Sequence, residues 1–127
     1  MVAETSGETC SIAVGTLGDA SIIEVAGEVD VATVSMLAKA LGDAAHSGKG
    51  DLILDAQKLV YIDSAGIQTL LSTQQKLRAN GRALAIVGCH GIFHKLMQVG
   101  RFDTRFPMYS TIDEALMRFG SWDVPTV

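Results

Sequence analysis

Tyr61-Ile62-Asp63-Ser64-Ala65-Gly66-Ile67 sets a hydroxyl beside a carboxylate where an apolar strand pattern turns into a helical one. A serine at or next to a helix N-cap can accept from free backbone N–H groups. Those N–H groups and the helix dipole also suit an anion. A phosphate on Ser64 is therefore tolerated locally, and it would add about −1.5 to −2 charges beside Asp63. Two negative groups on one surface repel an acidic or closely packed partner. Gly66 reads as room for a partner backbone or a nucleotide to approach. On local physics alone, a plain capping serine is the commoner use of such a residue.

Other constellations are weaker. Ser64 lacks the Gly-x-Ser-x-Gly elbow that exposes a hydrolytic nucleophile, and no pattern brings His46, His90 or His94 to it. Cys89, His90 and His94 have a spacing that could bind metal, but show no fourth ligand. They read as a solvated helix start beside a partly buried thiol. Asp55 ends an apolar strand, as the acceptor of a receiver-like domain would. Yet residues 12–17 carry no acid for magnesium and residues 83–88 no lysine. The chain is therefore expected to hold no catalytic residue, metal or cofactor.

Composition sets the frame for these residues. A chain of 127 residues suits one domain with a real core. It is 48% apolar and 19% charged, too apolar for a disordered chain. A net charge of −4 argues against a surface built to neutralise nucleic-acid phosphates. Residues 1–9 have no basic region followed by an apolar run, so no secretory signal is expected. No segment approaches the roughly 20 apolar residues that span a bilayer. A soluble, cytoplasmic protein with no membrane partner is expected. Cys10 and Cys89 read as free thiols, since a reducing cytosol disfavours a disulfide.

The elements that must position Ser64 follow from periodicity. Residues 1–9 read as a loose end. Residues 10–14 and 21–26 alternate apolar and polar, which predicts an antiparallel hairpin with its turn over 15–20. Gly27-Glu28-Val29-Asp30 breaks the strand pattern. Val34, Leu37, Ala38, Leu41 and Ala45 give a helical face. Residues 52–54 and 60–62 read as strands. Ile67, Leu70, Leu71, Gln74 and Leu77 form a helical stripe that Asn80-Gly81 closes. Residues 83–87 predict a buried strand. A short helix over 91–99 would turn Ile92, Phe93, Leu96 and Met97 inward. Residues 105–109 could add a strand, although Pro107 favours an edge. Thr111-Ile112-Asp113-Glu114 has capping-box spacing and opens a helix to about residue 119. Alternation after the hairpin points to an α/β domain with a mixed sheet and about four helices over residues 10–119.

The Ser64 segment resembles the phosphorylation motif of anti-sigma factor antagonists, the bacterial branch of the STAS domain family. Gly27-Glu28-Val29-Asp30 is similar to that family's Gly-Glu-Leu-Asp. Asp51-Leu52-Ile53-Leu54-Asp55, then Leu59-Val60-Tyr61-Ile62-Asp63-Ser64, resembles its central strand and the approach to the motif. Asn80-Gly81-Arg82-Ala83-Leu84 resembles the turn into its next strand. The likeness runs over roughly residues 12–117, and colinear agreement over a domain is more specific than one short motif.

The resemblance implies a single STAS domain that is substrate and ligand rather than enzyme. Ser64 would be the phosphate acceptor for an anti-sigma factor that is also a serine kinase. Asp63 would help hold the helix start, and Asp30, Asp63, Ala65, Gly66 and Ile67 would join Ser64 in the partner surface. Unphosphorylated, the protein would bind the anti-sigma factor and free a sigma factor for transcription. Phosphorylation would end that binding and a separate phosphatase restore it. Position 65 is alanine where many relatives have a second serine. Residues 120–127, with Trp122, have no counterpart in the family and read as a mobile tail. The alternative within the fold is a non-catalytic subunit of a stress-signalling or lipid-transport complex.

Overall fold

The computed structural model describes residues 3–6 and 9–118. Alternation builds its opening hairpin. Strand β2 (Cys10–Leu17) and strand β3 (Ala20–Val29) pair antiparallel, and turn Cys10, Ile12, Ile23, Val25 and Val29 to one buried face. The turn is only Gly18-Asp19, because pairing continues to Leu17 opposite Ala20. It is therefore shorter than the six residues the composition suggested.

Two further segments differ from the sequence reading. Residues 3–6, expected in a loose end, form strand β1 (Ala3–Ser6) antiparallel to β2. Without β1 the edge of β2 would present unpaired N–H and C=O groups. Gly27-Glu28-Val29 continues β3 instead of breaking it. Gly27 has φ +92°, and a Cβ there would lie 2.1 Å from the Thr9 carbonyl oxygen. Glycine thus lets the strand pass a register shift that ordinary side chains would block.

Beyond the hairpin, helices alternate with parallel strands. These are α1 (Val34–Ser47), β4 (Leu52–Asp55), β5 (Leu59–Ile62), α2 (Ser64–Arg78), β6 (Leu84–Val87), α3 (Gly91–Val99), β7 (Met108–Tyr109) and α4 (Ile112–Arg118). The sheet order is β1-β2-β3-β4-β6-β7, and β5 pairs with β3 beyond the end of β4. Helices α1, α2 and α3 cover one face through Leu37, Leu41, Leu70, Leu77, Phe93 and Met97. On the other face Ala115 of α4 packs with Ile53, Ala85 and Val87. β4 and β6 are therefore buried on both sides, which explains their unbroken apolar runs.

The helical faces are narrower than the periodicity implied. In α1 the buried residues are Leu37, Leu41 and Ala44, while Ala38 is exposed. In α3 Phe93 and Met97 reach the core, but Ile92 is exposed and Leu96 only half-buried. One helix touches the sheet along a single stripe, so its flanking apolar residues stay outside. Of residues 105–109 only Met108 and Tyr109 pair, parallel to β6. Pro107 has no N–H to donate, although its carbonyl accepts from Ile86 N–H at 2.9 Å. Glu114 N–H donates to Thr111 Oγ1 at 3.1 Å, which is half of a capping box.

Gln74 pins α2 to the rest of the fold. It is buried; its Nε2 donates to Arg105 O at 2.9 Å and its Oε1 accepts from Leu84 N–H at 2.6 Å. Gln74→Leu keeps most of the volume and leaves both backbone groups unpaired. The expected loss is about 1–3 kcal/mol per unpaired group, read from urea denaturation. No helix among the described residues is long and apolar enough to cross a membrane.

Candidate functional site

Val29 and Ile62 are register partners on the parallel strands β3 and β5, so the two strands end side by side. Ligands of open α/β sheets gather at such carboxyl ends. The turn after β3 carries Asp30, and the turn after β5 carries Asp63 and Ser64. The two are joined directly, since Asp63 N–H donates to Val29 O at 3.1 Å.

Asp63, not Ser64, is the N-cap of α2. Its Oδ1 accepts from Ala65 N–H at 3.0 Å and from Gly66 N–H at 3.2 Å. An ionised carboxylate makes stronger bonds to the helix start than a hydroxyl does, and that displaces Ser64 to the first helical position. Ser64 is exposed and its hydroxyl takes no part in the cap. The free N–H groups expected to receive an anion on Ser64 are thus already taken at these two residues.

Asp30 is half-buried, and its Oδ1 accepts from Ala32 N–H at 2.9 Å. Its carbonyl accepts from Thr33 N–H and Val34 N–H at 3.1 and 2.8 Å. Thr33, which the sequence reading missed, is buried inside this turn. The available signal was Asp-x-x-Thr ahead of a helix, the spacing of a side-chain-closed turn.

The remaining candidate residues divide by burial. Ala65 is half-buried, whereas Gly66 and Ile67 are buried against the core. A Cβ on Gly66 would lie 2.4 Å from Ile62 Cγ1 and 3.0 Å from Val29 Cγ1. Gly66 therefore makes room for α2 to close onto β5 and β3, not for a partner. Ile67, packed in the core, is not surface. Asp30, Asp63, Ser64 and Ala65 remain reachable. Their sequence neighbours Val31 and Val60 are 82% and 71% exposed, and Tyr61 is exposed as well. Such apolar surface beside charged groups suits a protein partner.

Cys89, His90 and His94 do come together with Asp103, Tyr109 and Glu114, around a cleft of about 600 Å³ away from Ser64. Among the described residues no group of three or more His, Cys, Asp or Glu is placed to hold a metal ion. His90 Nδ1 lies 2.8 Å from Gly88 O. Burial, and secondarily the charge of Asp103, push the Cys89 thiol up to about 11. Burial and then Asp30 raise Cys10 too. Since the thiolate is the reactive form, Cys89 should alkylate about a hundredfold more slowly at pH 7.5 than an unburied thiol. Its rate should keep rising past pH 9.5, which a pH series with iodoacetamide and peptide mapping would check. Asp55 is buried, with its Oδ1 accepting from Gln57 N–H at 3.1 Å across the β4–β5 jog. Trp122 and residues 119–127 lie outside the described residues.

This geometry has relatives. The STAS domain model matches residues 11–115. The chain is similar to a Mycobacterium tuberculosis protein named anti-sigma-F factor antagonist RsfB, 20% identical over 109 residues, 86% of this chain and 88% of the relative. Its fold is similar to that of an anti-sigma factor antagonist from Mycobacterium paratuberculosis, with TM-score 0.79 and 24% identity over 89% of this chain and 96% of the other. It is also similar to Bacillus SpoIIAA in the phosphorylated form, with TM-score 0.68 and 20% identity over 85% and 98% of the two chains. The family match spans the strands, the turns and the first residues of α2 that build the Ser64 surface, and the chain belongs to the STAS domain family.

Proposed function

We propose that this chain is an anti-sigma factor antagonist that binds a serine-kinase anti-sigma factor and is switched off by phosphorylation of Ser64. One observation carries the reading. Ser64 is an exposed hydroxyl, outside the helix cap, at the meeting of two acidic turns. A kinase can reach it without unfolding anything. The chain supplies the acceptor and the docking surface, and the partner supplies the phosphoryl chemistry. Binding in the unphosphorylated state frees a sigma factor for transcription. A phosphatase acting on the modified serine restores that state. The setting is the cytoplasm, where such partners work.

The switch follows from charge rather than from shape. Asp63 holds the Ala65 and Gly66 N–H groups, so a phosphate on Ser64 does not replace that cap. It stands in the partner surface and adds to the charges of Asp63 and Asp30. A unit charge on Ser64 about 4–8 Å from an acidic group of the partner is repelled by about 0.5–4 kcal/mol at an effective dielectric of about 20–80. That is enough to end a partner contact without melting α2.

The test is a pull-down from native lysate with Ser64→Ala and Ser64→Glu proteins as paired baits, read by mass spectrometry. A kinase-like anti-sigma factor on the alanine bait alone is the expected result. The same partners on both baits, transporter or assembly subunits above all, would make the domain a fixed subunit and reject the switch.

A further inference from the structure

We propose that Thr33 is the positioning residue that holds the Asp30 turn and the start of α2 in one arrangement, and so sets the strength of partner binding at Ser64. The proposal rests on the functional reading above. Thr33 occupies the N-cap position of α1, yet its side chain makes no cap bond to that helix. Instead the hydroxyl turns back to the strand end. It donates to Glu28 O at 2.8 Å and accepts from Asp30 N–H at 3.0 Å. A hydroxyl has one proton and two lone pairs, so one small group closes both sides of the turn. A threonine cap is worth about 1 kcal/mol. Asp30 takes that role instead, its Oδ1 accepting from Ala32 N–H and its carbonyl from Val34 N–H, which leaves the Thr33 hydroxyl to close the turn against the strand end.

What that closure holds lies across the strands. Val29 sits between the two residues that Thr33 ties, and its carbonyl receives Asp63 N–H at 3.1 Å. Asp63 in turn caps α2 through Ala65 and Gly66. The linkage runs from Thr33 to residues 28–30, from Val29 to Asp63, and from Asp63 to the helix that starts with Ser64. Thr33 is 6% exposed, so a partner gains nothing from touching it. It acts through the two acidic turns, whose mutual placement the partner must match. An interface whose parts are already ordered loses less free energy on binding.

Thr33→Val keeps the shape and removes both bonds, while Thr33→Ser keeps them. The probe is the kinase captured by the Ser64→Ala bait, titrated well below the melting temperature. Thr33→Val should raise its Kd about tenfold, the scale of one hydrogen bond's worth of ordering. It should raise KM for Ser64 phosphorylation and leave kcat unchanged, and Thr33→Ser should restore both. In amide NMR spectra, the signals of Asp30 and of residues 63–65 should shift together in Thr33→Val only. Parental Kd and KM with a lowered melting temperature would overturn the proposal, since Thr33 would then serve the fold alone. Should Thr33→Val fail to fold, Thr33→Cys keeps a weak donor and should show a smaller rise in Kd. Unchanged Kd in that variant overturns the proposal equally. Absence of any kinase on the Ser64→Ala bait rejects the functional reading itself, and it is seen before any Thr33 variant is made.

Discussion

Ser64→Glu should bind the proposed anti-sigma kinase about a hundredfold more weakly than Ser64→Ala, a difference of about 2.7 kcal/mol. A glutamate at this position places a charge on the exposed first residue of α2, beside the Asp63 carboxylate and near the end of β3. Stability should differ little, because Ser64 is exposed and takes no part in the cap. Acidic residues are also favoured in a helix's first turn. Binding and folding should thus separate in this pair. Titration calorimetry at two ionic strengths tests the charge mechanism. Part of the difference should disappear in high salt, because exposed charges are screened over about 8–10 Å. Equal affinity for both variants would leave Ser64 as an ordinary helix residue.

Gly66→Val should act in the opposite sense, with a large loss of stability and little change in the affinity of the molecules that remain folded. Even the first carbon of the new side chain falls 2.4 Å from Ile62 Cγ1 and 2.7 Å from Ile62 Cδ1. α2 would have to lift from β5, or Ile62 leave its place in the core. Overpacking of this kind costs about 1–3 kcal/mol, and a branched side chain against two neighbours sits at the upper end. The urea midpoint should fall with the slope unchanged. Ile62→Ala in the same chain should recover part of the loss, since it removes the atoms that collide. A Gly66→Val protein of parental stability that no longer binds would return the glycine to the partner surface. Residue type alone favoured that surface role. The distances to Ile62 and Val29 favour the core.

The contrast between these two neighbours shows what kind of information each level holds. Periodicity in the chain determined which residues face inward wherever an element packs along one stripe. The alternation from Cys10 to Val14, the run Leu52-Ile53-Leu54 and the stripe from Ile67 to Leu77 all lie where their spacing puts them. So does the helix that Thr111 opens. The order of strand and helix patterns also determined an α/β domain with a mixed sheet. The strand-to-helix change at Asp63-Ser64 determined that a hydroxyl stands at a helix start.

Tertiary structure decided the rest, because long-range partners leave no period in the sequence. β1 exists because the edge of β2 offers it a ladder, not because residues 3–6 alternate in polarity. At Gly27, β3 passes so close to the Thr9 carbonyl oxygen that a Cβ would collide with it. The capped start of α2 is fixed against β3 because Asp63 N–H donates to Val29 O across the strands. The Thr33 hydroxyl ties the turn before α1 to the end of β3, donating to Glu28 O. The sequence alone determined that residue 64 is a hydroxyl at the right boundary. Packing of α2 against β5 and β3 decided that Ser64 is exposed, its hydroxyl outside the cap that the neighbouring Asp63 carboxylate makes.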